Sequence, residues 1–324
     1  MCIICTKDYN ESLITLNCNS CKIINEIPSI LCNLKYLNCS NTNITKLPST
    51  LSKLIYLNCS NTKIKEISNS YKLLKYLNCS KNLIYSISNK YINLEELDCS
   101  FTKIRLLPYN YKKLEKLNCS HCHITILPIS YRKLQFLHCS NNNIYMIPNS
   151  YSSLVSLKCK FNNIRYISYR LYNLTYLDIS HNKIYKISNY YDKLRYLDIS
   201  FTNINNIPDS FINLKILKCY NTKIQYLPIT LVKLLNIYPQ YYKKYHINNY
   251  IKYIHNTKLP RSIKNYINNS IGVCSICLIE LSSDIYKNIS IIKNCNHHFH
   301  KTCLFEWFDT KLNCPNCRSA IFNK

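Results

Sequence analysis

The stretch Leu54-Ile55-Tyr56-Leu57-Asn58-Cys59-Ser60-Asn61-Thr62-Lys63-Ile64-Lys65-Glu66-Ile67 decides the fold, because it returns twenty residues later as Leu74-Lys75-Tyr76-Leu77-Asn78-Cys79-Ser80-Lys81-Asn82-Leu83-Ile84-Tyr85-Ser86-Ile87. Outward in both directions the same pair recurs, from Leu34 and Leu37 to Leu214 and Leu217. Two residues past each pair stands a cysteine, from Cys39 to Cys159 and again Cys219, with Ile179 and Ile199 in its place twice. An aliphatic follows five residues on, then a second three later, often with Pro after it. An earlier copy begins at Leu13 and has one extra residue between Ile23 and Ile27, which makes eleven coils over about 13–233. So strict a period marks a solenoid, in which each coil buries its apolar face only against its neighbours. Leu57 and Cys59 are two apart on a short strand, so both face the core while the residues around them face out. Strands stacked at ~4.8 Å give a parallel sheet roughly 50 Å long.

These coils resemble the leucine-rich repeat, L-x-x-L-x-L-x-x-N-x-L, in its short twenty-residue form. The ninth position, Asn, Thr or Cys in that family, reads Cys21, Thr42, Thr62, Asn82, Thr102, Cys122, Asn142, Asn162, Asn182, Thr202 and Thr222 here. The resemblance implies a leucine-rich-repeat solenoid with a parallel β-sheet and little helix. A buried Asn or Thr in each coil can satisfy backbone groups that a helix-free turn leaves unpaired. Asn also tolerates left-handed backbone, so it is expected to do the turn work of absent glycines.

The chain has 324 residues, enough for two domains at about 150 residues each, and its single glycine, Gly272, excludes any glycine-rich phosphate loop. Lys and Arg number 42 against 16 Asp and Glu, a net charge of +26. The excess is spread, with 30 basic against 12 acidic residues over 1–240 and 12 against 4 over 241–324. Thirty-five of the basic residues are Lys, in a chain crowded with Asn, Ile and Tyr and holding one Ala. That is the mark of AT-rich coding on a solvated surface, not of a nucleic-acid footprint concentrated on one face. No 18-residue apolar run exists to span a membrane. The opening residues lack the order of a secretory signal, so the expected location is the cytoplasm. There thiols stay reduced, and a sixth position that accepts Cys or Ile wants a small hydrophobe.

Two cysteine groups outside the last fifty residues suggest metal. In Cys119-x-His121-Cys122-His123 the two thiols fill repeat positions six and nine and point inward. Cys2-x2-Cys5 with Cys18-x2-Cys21 is the better pattern, since paired knuckles of this kind hold zinc, although Cys18 and Cys21 also fill repeat positions.

The outward strand residues form columns. One runs Tyr36, Tyr56, Tyr76, Glu96, Lys116, Phe136, Ser156, Tyr176, Tyr196; the next is mostly Asn or Asp, broken by His138 and Lys158; a third is nearly all Ser, broken by Lys160 and Tyr220. Tyr beside Asn and Ser offers rigid aromatic area with adaptable hydrogen bonds, good chemistry for binding a protein. Stacked Tyr is equally favoured by cross-strand packing. The segment from Glu96 to Phe161 breaks the monotony most, and Tyr76, Lys158 and Phe161 are the expected substrate contacts.

Beyond Leu231 a Tyr/Lys/Asn-rich linker over 234–272 is expected to be partly helical. Ile247, Tyr250, Ile251 and Ile254 have helical spacing, and 262–269 offers another short helical turn. The segment 273–324 then reads Cys274-x2-Cys277-x17-Cys295-x-His297-x2-His300-x2-Cys303-x10-Cys314-x2-Cys317. Six thiols and two imidazoles are eight ligands, enough for two tetrahedral zinc ions that would supply the folding energy so small a core lacks.

This spacing resembles the RING finger in its two-histidine variant, and Cys274-Ser275-Ile276-Cys277, Trp307 and Cys314-Pro315-Asn316-Cys317-Arg318 match its wording. The resemblance implies one zinc on Cys274, Cys277, His300 and Cys303, and another on Cys295, His297, Cys314 and Cys317. It further implies an apolar surface of Ile276, Trp307 and Pro315 for a ubiquitin-conjugating enzyme, and Arg318 as the cation that positions ubiquitin. Two readings follow. In the first the protein is a RING-type ubiquitin ligase whose solenoid holds a protein substrate; in the second it is a binding adaptor with a structural zinc domain. The combination with this coding bias resembles proteins of large DNA viruses of protists, which would make the cytoplasm that of a host.

Overall fold

The computed structural model describes residues 3–224, 231, 263–266, 289–292 and 298–300. The chain divides into two compact parts, Met1–Tyr241 and Tyr242–Lys324.

The first part opens on a short helix, α1 (Ile3–Thr6), and continues as eleven three-residue strands in one parallel sheet in sequence order. They are β1 (Thr15–Asn17), β2 (Tyr36–Asn38), β3 (Tyr56–Asn58), β4 (Tyr76–Asn78), β5 (Glu96–Asp98), β6 (Lys116–Asn118), β7 (Phe136–His138), β8 (Ser156–Lys158), β9 (Tyr176–Asp178), β10 (Tyr196–Asp198) and β11 (Ile216–Lys218). Leu57 pairs with Leu77 and Leu137 with Leu157, so one coil advances the register by its whole period and each core leucine meets the leucine of the next coil. At the first step Thr15 pairs with Tyr36, and the extra residue of the first coil is absorbed in its turns. This is the leucine-rich-repeat architecture, parallel-stranded and almost free of helix, that the repeat pattern implies. Among the described residues no helix is long and apolar enough to cross a membrane.

The core is a set of ladders. Leu37, Leu57 and Leu77 stack below the strands, and the sixth-position rungs run from Cys39 to Cys159 and on through Ile179 and Ile199, all fully buried. Burial pushes the Cys59 thiol up to about 12, so it packs as a neutral hydrophobe. The ninth position forms a polar ladder. Asn162 donates from Nδ2 to Cys139 O and Cys159 O, both at 3.0 Å, and accepts the Ile144 N–H at 2.9 Å, tying two coils together. Thr102 is shorter: its hydroxyl donates to Cys99 O of its own coil at 2.7 Å and meets Cys122 Sγ of the next coil at 3.4 Å.

A third ladder explains part of the tyrosine excess. Tyr71, Tyr91, Tyr111, Tyr131, Tyr151 and Tyr191 are fully buried, yet each hydroxyl donates to a carbonyl of the preceding coil, as Tyr151 does to Pro128 O at 2.7 Å. A phenol reaches across the side opposite the sheet, where longer repeats would place a helix, and its hydroxyl leaves no buried polar atom unpaired.

The turn after each strand carries a residue at positive φ. Asn holds it at Asn41, Asn61, Asn141 and Asn221, as expected, but Ser20, Lys81, Phe101, His121, Phe161, His181 and Phe201 hold it elsewhere. Bulky residues there are strained by about 1–2 kcal/mol each, which the over-determined coils on either side sustain.

In the second part, β12 (Ile263–Tyr266), β13 (Ile289–Ile292) and β14 (His298–His300) form an antiparallel sheet in that order. The helical turn expected over 262–269 is therefore a strand in its centre. Four residues satisfy their backbone better against β13 than in one isolated helical turn, and Ile and Tyr favour strands. The helix expected around Ile247–Ile254 lies outside the described residues.

Candidate functional site

The outward columns of the solenoid prove unequal. In the Asn/Asp column the side chains bond their own turns: Ser80 donates its N–H and its hydroxyl to Asn78 Oδ1, at 3.1 and 2.8 Å. The same pair of bonds recurs at Asn38, Asn58, Asp98, Asn118 and Asp178, and at Asp198 the N–H bond alone. The serines that make them are largely buried. Most of the Asn and Ser expected to be adaptable contacts are thus spent on the fold.

Coils seven and eight are the interior exceptions. His138 and Lys158 have no carboxamide or carboxylate oxygen to give their turns, and they are register neighbours on β7 and β8. Burial, then the Lys158 ammonium, lowers the His138 pKa below its ordinary value, which keeps the ring neutral at physiological pH. Lys158 is exposed, with Nζ 5.2 Å from the Tyr176 ring centroid. In the Ser column coil eight has Lys160 instead, its Nζ 5.0 Å from the ring of Phe161. Phe161 is exposed and starts a file of rings held at positive φ, Phe161 on His181 at 3.9 Å and His181 on Phe201 at 4.3 Å, which ends with Phe201 against Tyr220 at 5.6 Å. A second file, Tyr176 on Tyr196 at 4.2 Å, runs along the strands beside it.

Of the three expected substrate contacts, Lys158 and Phe161 belong to the same coil, the eighth. Tyr76 lies four strands away, roughly 19 Å at the usual strand spacing, stacked on Tyr56 at 4.3 Å. The ring file through His181 and Phe201 was missed because each residue, taken alone, is one odd member of a turn position. Its signal in the sequence is the recurrence of aromatic residues at the eighth repeat position, where Asn belongs.

In the cluster Cys119-x-His121-Cys122-His123 the ligating atoms diverge. Cys122 Sγ donates inward to Cys99 O at 3.3 Å, while the exposed His121 stacks on Phe101 at 4.1 Å and meets Asn141 through Nε2 at 3.1 Å.

In the second part, His300 closes β14. The other expected zinc ligands, Cys274, Cys277, Cys295, His297, Cys303, Cys314 and Cys317, lie outside the described residues, as do Ile276, Trp307, Pro315 and Arg318.

Comparison with known proteins separates the two parts. Residues 272–318 match the ring finger domain model, and 12–34, 33–54, 173–190 and 193–214 match the leucine rich repeat. The protein carries leucine-rich repeats and a RING finger. Over the RING it is 37% identical across 51 residues to the RING-H2 finger protein ATL79 of Arabidopsis thaliana, covering 16% of this chain and 30% of that one. It is also 44% identical across 53 residues to an E3 ubiquitin-protein ligase of the same plant, covering 16% and 22%. The chain thus spans less than a third of the length of these relatives. Over the repeats it resembles the functional domain of InlJ from Listeria monocytogenes, which includes a cysteine ladder, at 29% identity and TM-score 0.62, covering 66% of this chain and 55% of that one. YopM from Yersinia enterocolitica shares the fold at 22% identity and TM-score 0.59, covering 68% and 50%. A RING finger is a zinc-binding domain, and the donor set present, thiols and imidazoles in closely spaced pairs, is the one tetrahedral zinc requires.

Proposed function

We propose that the protein is a RING-type ubiquitin ligase in which the solenoid selects a protein substrate and the RING delivers a ubiquitin-charged conjugating enzyme to it. The observation that carries this reading is the RING match over 272–318, with relatives named as RING-H2 finger proteins and a ubiquitin ligase. Two zinc ions are proposed, one held by Cys274, Cys277, His300 and Cys303 and the other by Cys295, His297, Cys314 and Cys317. The metal supplies folding energy and takes no part in the bond changes.

Ile276, Trp307 and Pro315 form the docking surface for the conjugating enzyme. Arg318 holds ubiquitin against its carrier, so that the substrate lysine meets the thioester in a reactive geometry, a gain in positioning. The neutral lysine amine attacks the thioester carbonyl, an isopeptide bond forms, the carrier's cysteine leaves as thiolate, and the amine's proton passes to solvent. No nucleophile of this chain is needed. On the solenoid the substrate contacts are Lys158 and Phe161, with Tyr76 four strands away in the same sheet. The reduced thiol ladder fits a cytoplasmic location.

The test combines the purified protein with ubiquitin, activating enzyme, ATP and a panel of conjugating enzymes. Ubiquitin chains are expected with at least one of them, and their formation should fall at least tenfold with Ile276→Ala or Arg318→Ala. A folded, zinc-loaded protein inactive with every conjugating enzyme would establish the adaptor reading instead. Proximity labelling in cells should yield a partner lost on Lys158→Glu or Phe161→Ala; partners unchanged by both would move the docking site off coil eight.

A further inference from the structure

In the last four coils two lysines flank a pair of rings. Tyr176 and Tyr196 stack at 4.2 Å with 2° between their planes. Lys158, on the strand before, holds Nζ 5.2 Å from the Tyr176 centroid, and Lys218, on the strand after, holds its own 5.5 Å from the Tyr196 centroid. Both lysines are exposed. In register they border Asp178 and Asp198, yet the ion pairs among the described residues are Lys75 with Glu95 and Lys116 with Glu96. The two carboxylates instead accept the N–H groups of Ser180 and Ser200, at 3.1 and 3.0 Å. The ammonium groups are thus steadied over the rings and keep their charge for a partner.

The file of rings beside them has the same character. Lys160 covers Phe161 at 5.0 Å, and Phe161, His181 and Phe201 cover one another. Rings stacked in this way have their faces occupied and leave their edges to solvent, and an aromatic edge carries the positive part of the quadrupole. A nucleobase needs a free face to stack on, whereas outward edges among ammonium groups suit a carboxylate. The other Tyr pair, Tyr56 on Tyr76, has Glu96 and Asp98 on the strand that follows it and lacks this character.

We propose that coils eight to eleven bind an acidic segment of the substrate in extended conformation, with two carboxylates four residues apart, one on Lys158 and one on Lys218. The spacing follows from the register. β8 and β11 are three strands apart, ~14 Å at the usual strand spacing, and residues i and i+4 of an extended chain lie ~13 Å apart on one face. Asp178 and Asp198 stand between the two lysines, so the intervening residue on that face, i+2, carries no acid. The assignment rests on the reading of the solenoid as the substrate-holding part, and names the class of segment held.

The test is selection of a phage-displayed random twelve-residue peptide library on the immobilised full-length protein. Peptides with Asp or Glu at i and i+4 and neither at i+2 should be enriched over the starting library. A fluorescein-labelled peptide of that kind, titrated by fluorescence anisotropy, should bind about fivefold more weakly to Lys158→Gln and to Lys218→Gln, the worth of an exposed ion pair. A scrambled peptide of the same composition with its two acids adjacent should weaken to a similar degree. Equal binding of the scrambled peptide would reduce the effect to general attraction by the +26 charge and overturn the site. Enrichment without the spaced acids, binding unaffected by either lysine, or tighter binding of a twelve-nucleotide oligo-uridine would overturn it too. This binding needs neither ubiquitin nor a conjugating enzyme. A protein that binds the spaced acids but forms no ubiquitin chains fails only the ligase reading; one that forms chains and ignores the spaced acids fails only this one.

Discussion

At the scale of single residues, the polar ladder shows how stability is distributed. Asn162 bonds the backbone of two coils at once, whereas Thr102 bonds the backbone of its own coil. Asn162→Ala leaves a buried N–H and two carbonyls without that partner, and should cost on the order of 3 kcal/mol. Asn162→Thr keeps the bond within the coil and should cost about half as much; urea unfolding followed by circular dichroism measures both. Equal losses would mean that the bridge to the preceding coil contributes nothing. The ninth position was legible in the sequence because its residue types are few. The difference between Asn and Thr was not, since it depends on how far each side chain reaches.

At the scale of strands and turns, β7 and β8 trade local stability for an open surface. Where Asn78 holds its own turn, His138 and Lys158 do not, and substitutions toward the column's usual residue should stabilise. His138 adds a pH dependence. Its pKa is lowered in the folded protein, so the unfolded chain takes up a proton first. Stability is therefore complete above the ordinary histidine value of about 6.5 and is lost as pH falls through it. His138→Asn should raise the melting temperature at pH 7 and flatten its decline between about pH 7 and 5. A variant with the wild-type acid slope would show that His138 is not the titrating group. Strand positions and inward faces were readable from Leu and Cys alone, since a period-two strand leaves no freedom. The consumption of the Asn column by its own turns was hidden, because Asn looks the same whether it bonds a partner or the next serine.

For the whole molecule, the constant register makes each coil an interchangeable layer. Removing residues 54–73 brings Tyr36 opposite Tyr76 with no change of face, because both already pair with Tyr56. The shortened protein should keep its circular dichroism per residue and its partner. Removing 154–173 should keep the fold equally well and lose the partner, since that coil carries Lys158 and Phe161. A pull-down with both deletions checks this, and loss of the partner with either would argue that docking spans the whole face.

The thiol rungs give the protein a chemical fate as well as a core. Sealed in the folded state, with their pKa values pushed up, they are inert toward oxidants. An opened coil releases neighbouring thiols into water together, ready to cross-link with each other or with another molecule. In an oxidising medium unfolding would then become a one-way event, and the lifetime of the protein would follow how often a coil opens, not how stable it is at equilibrium.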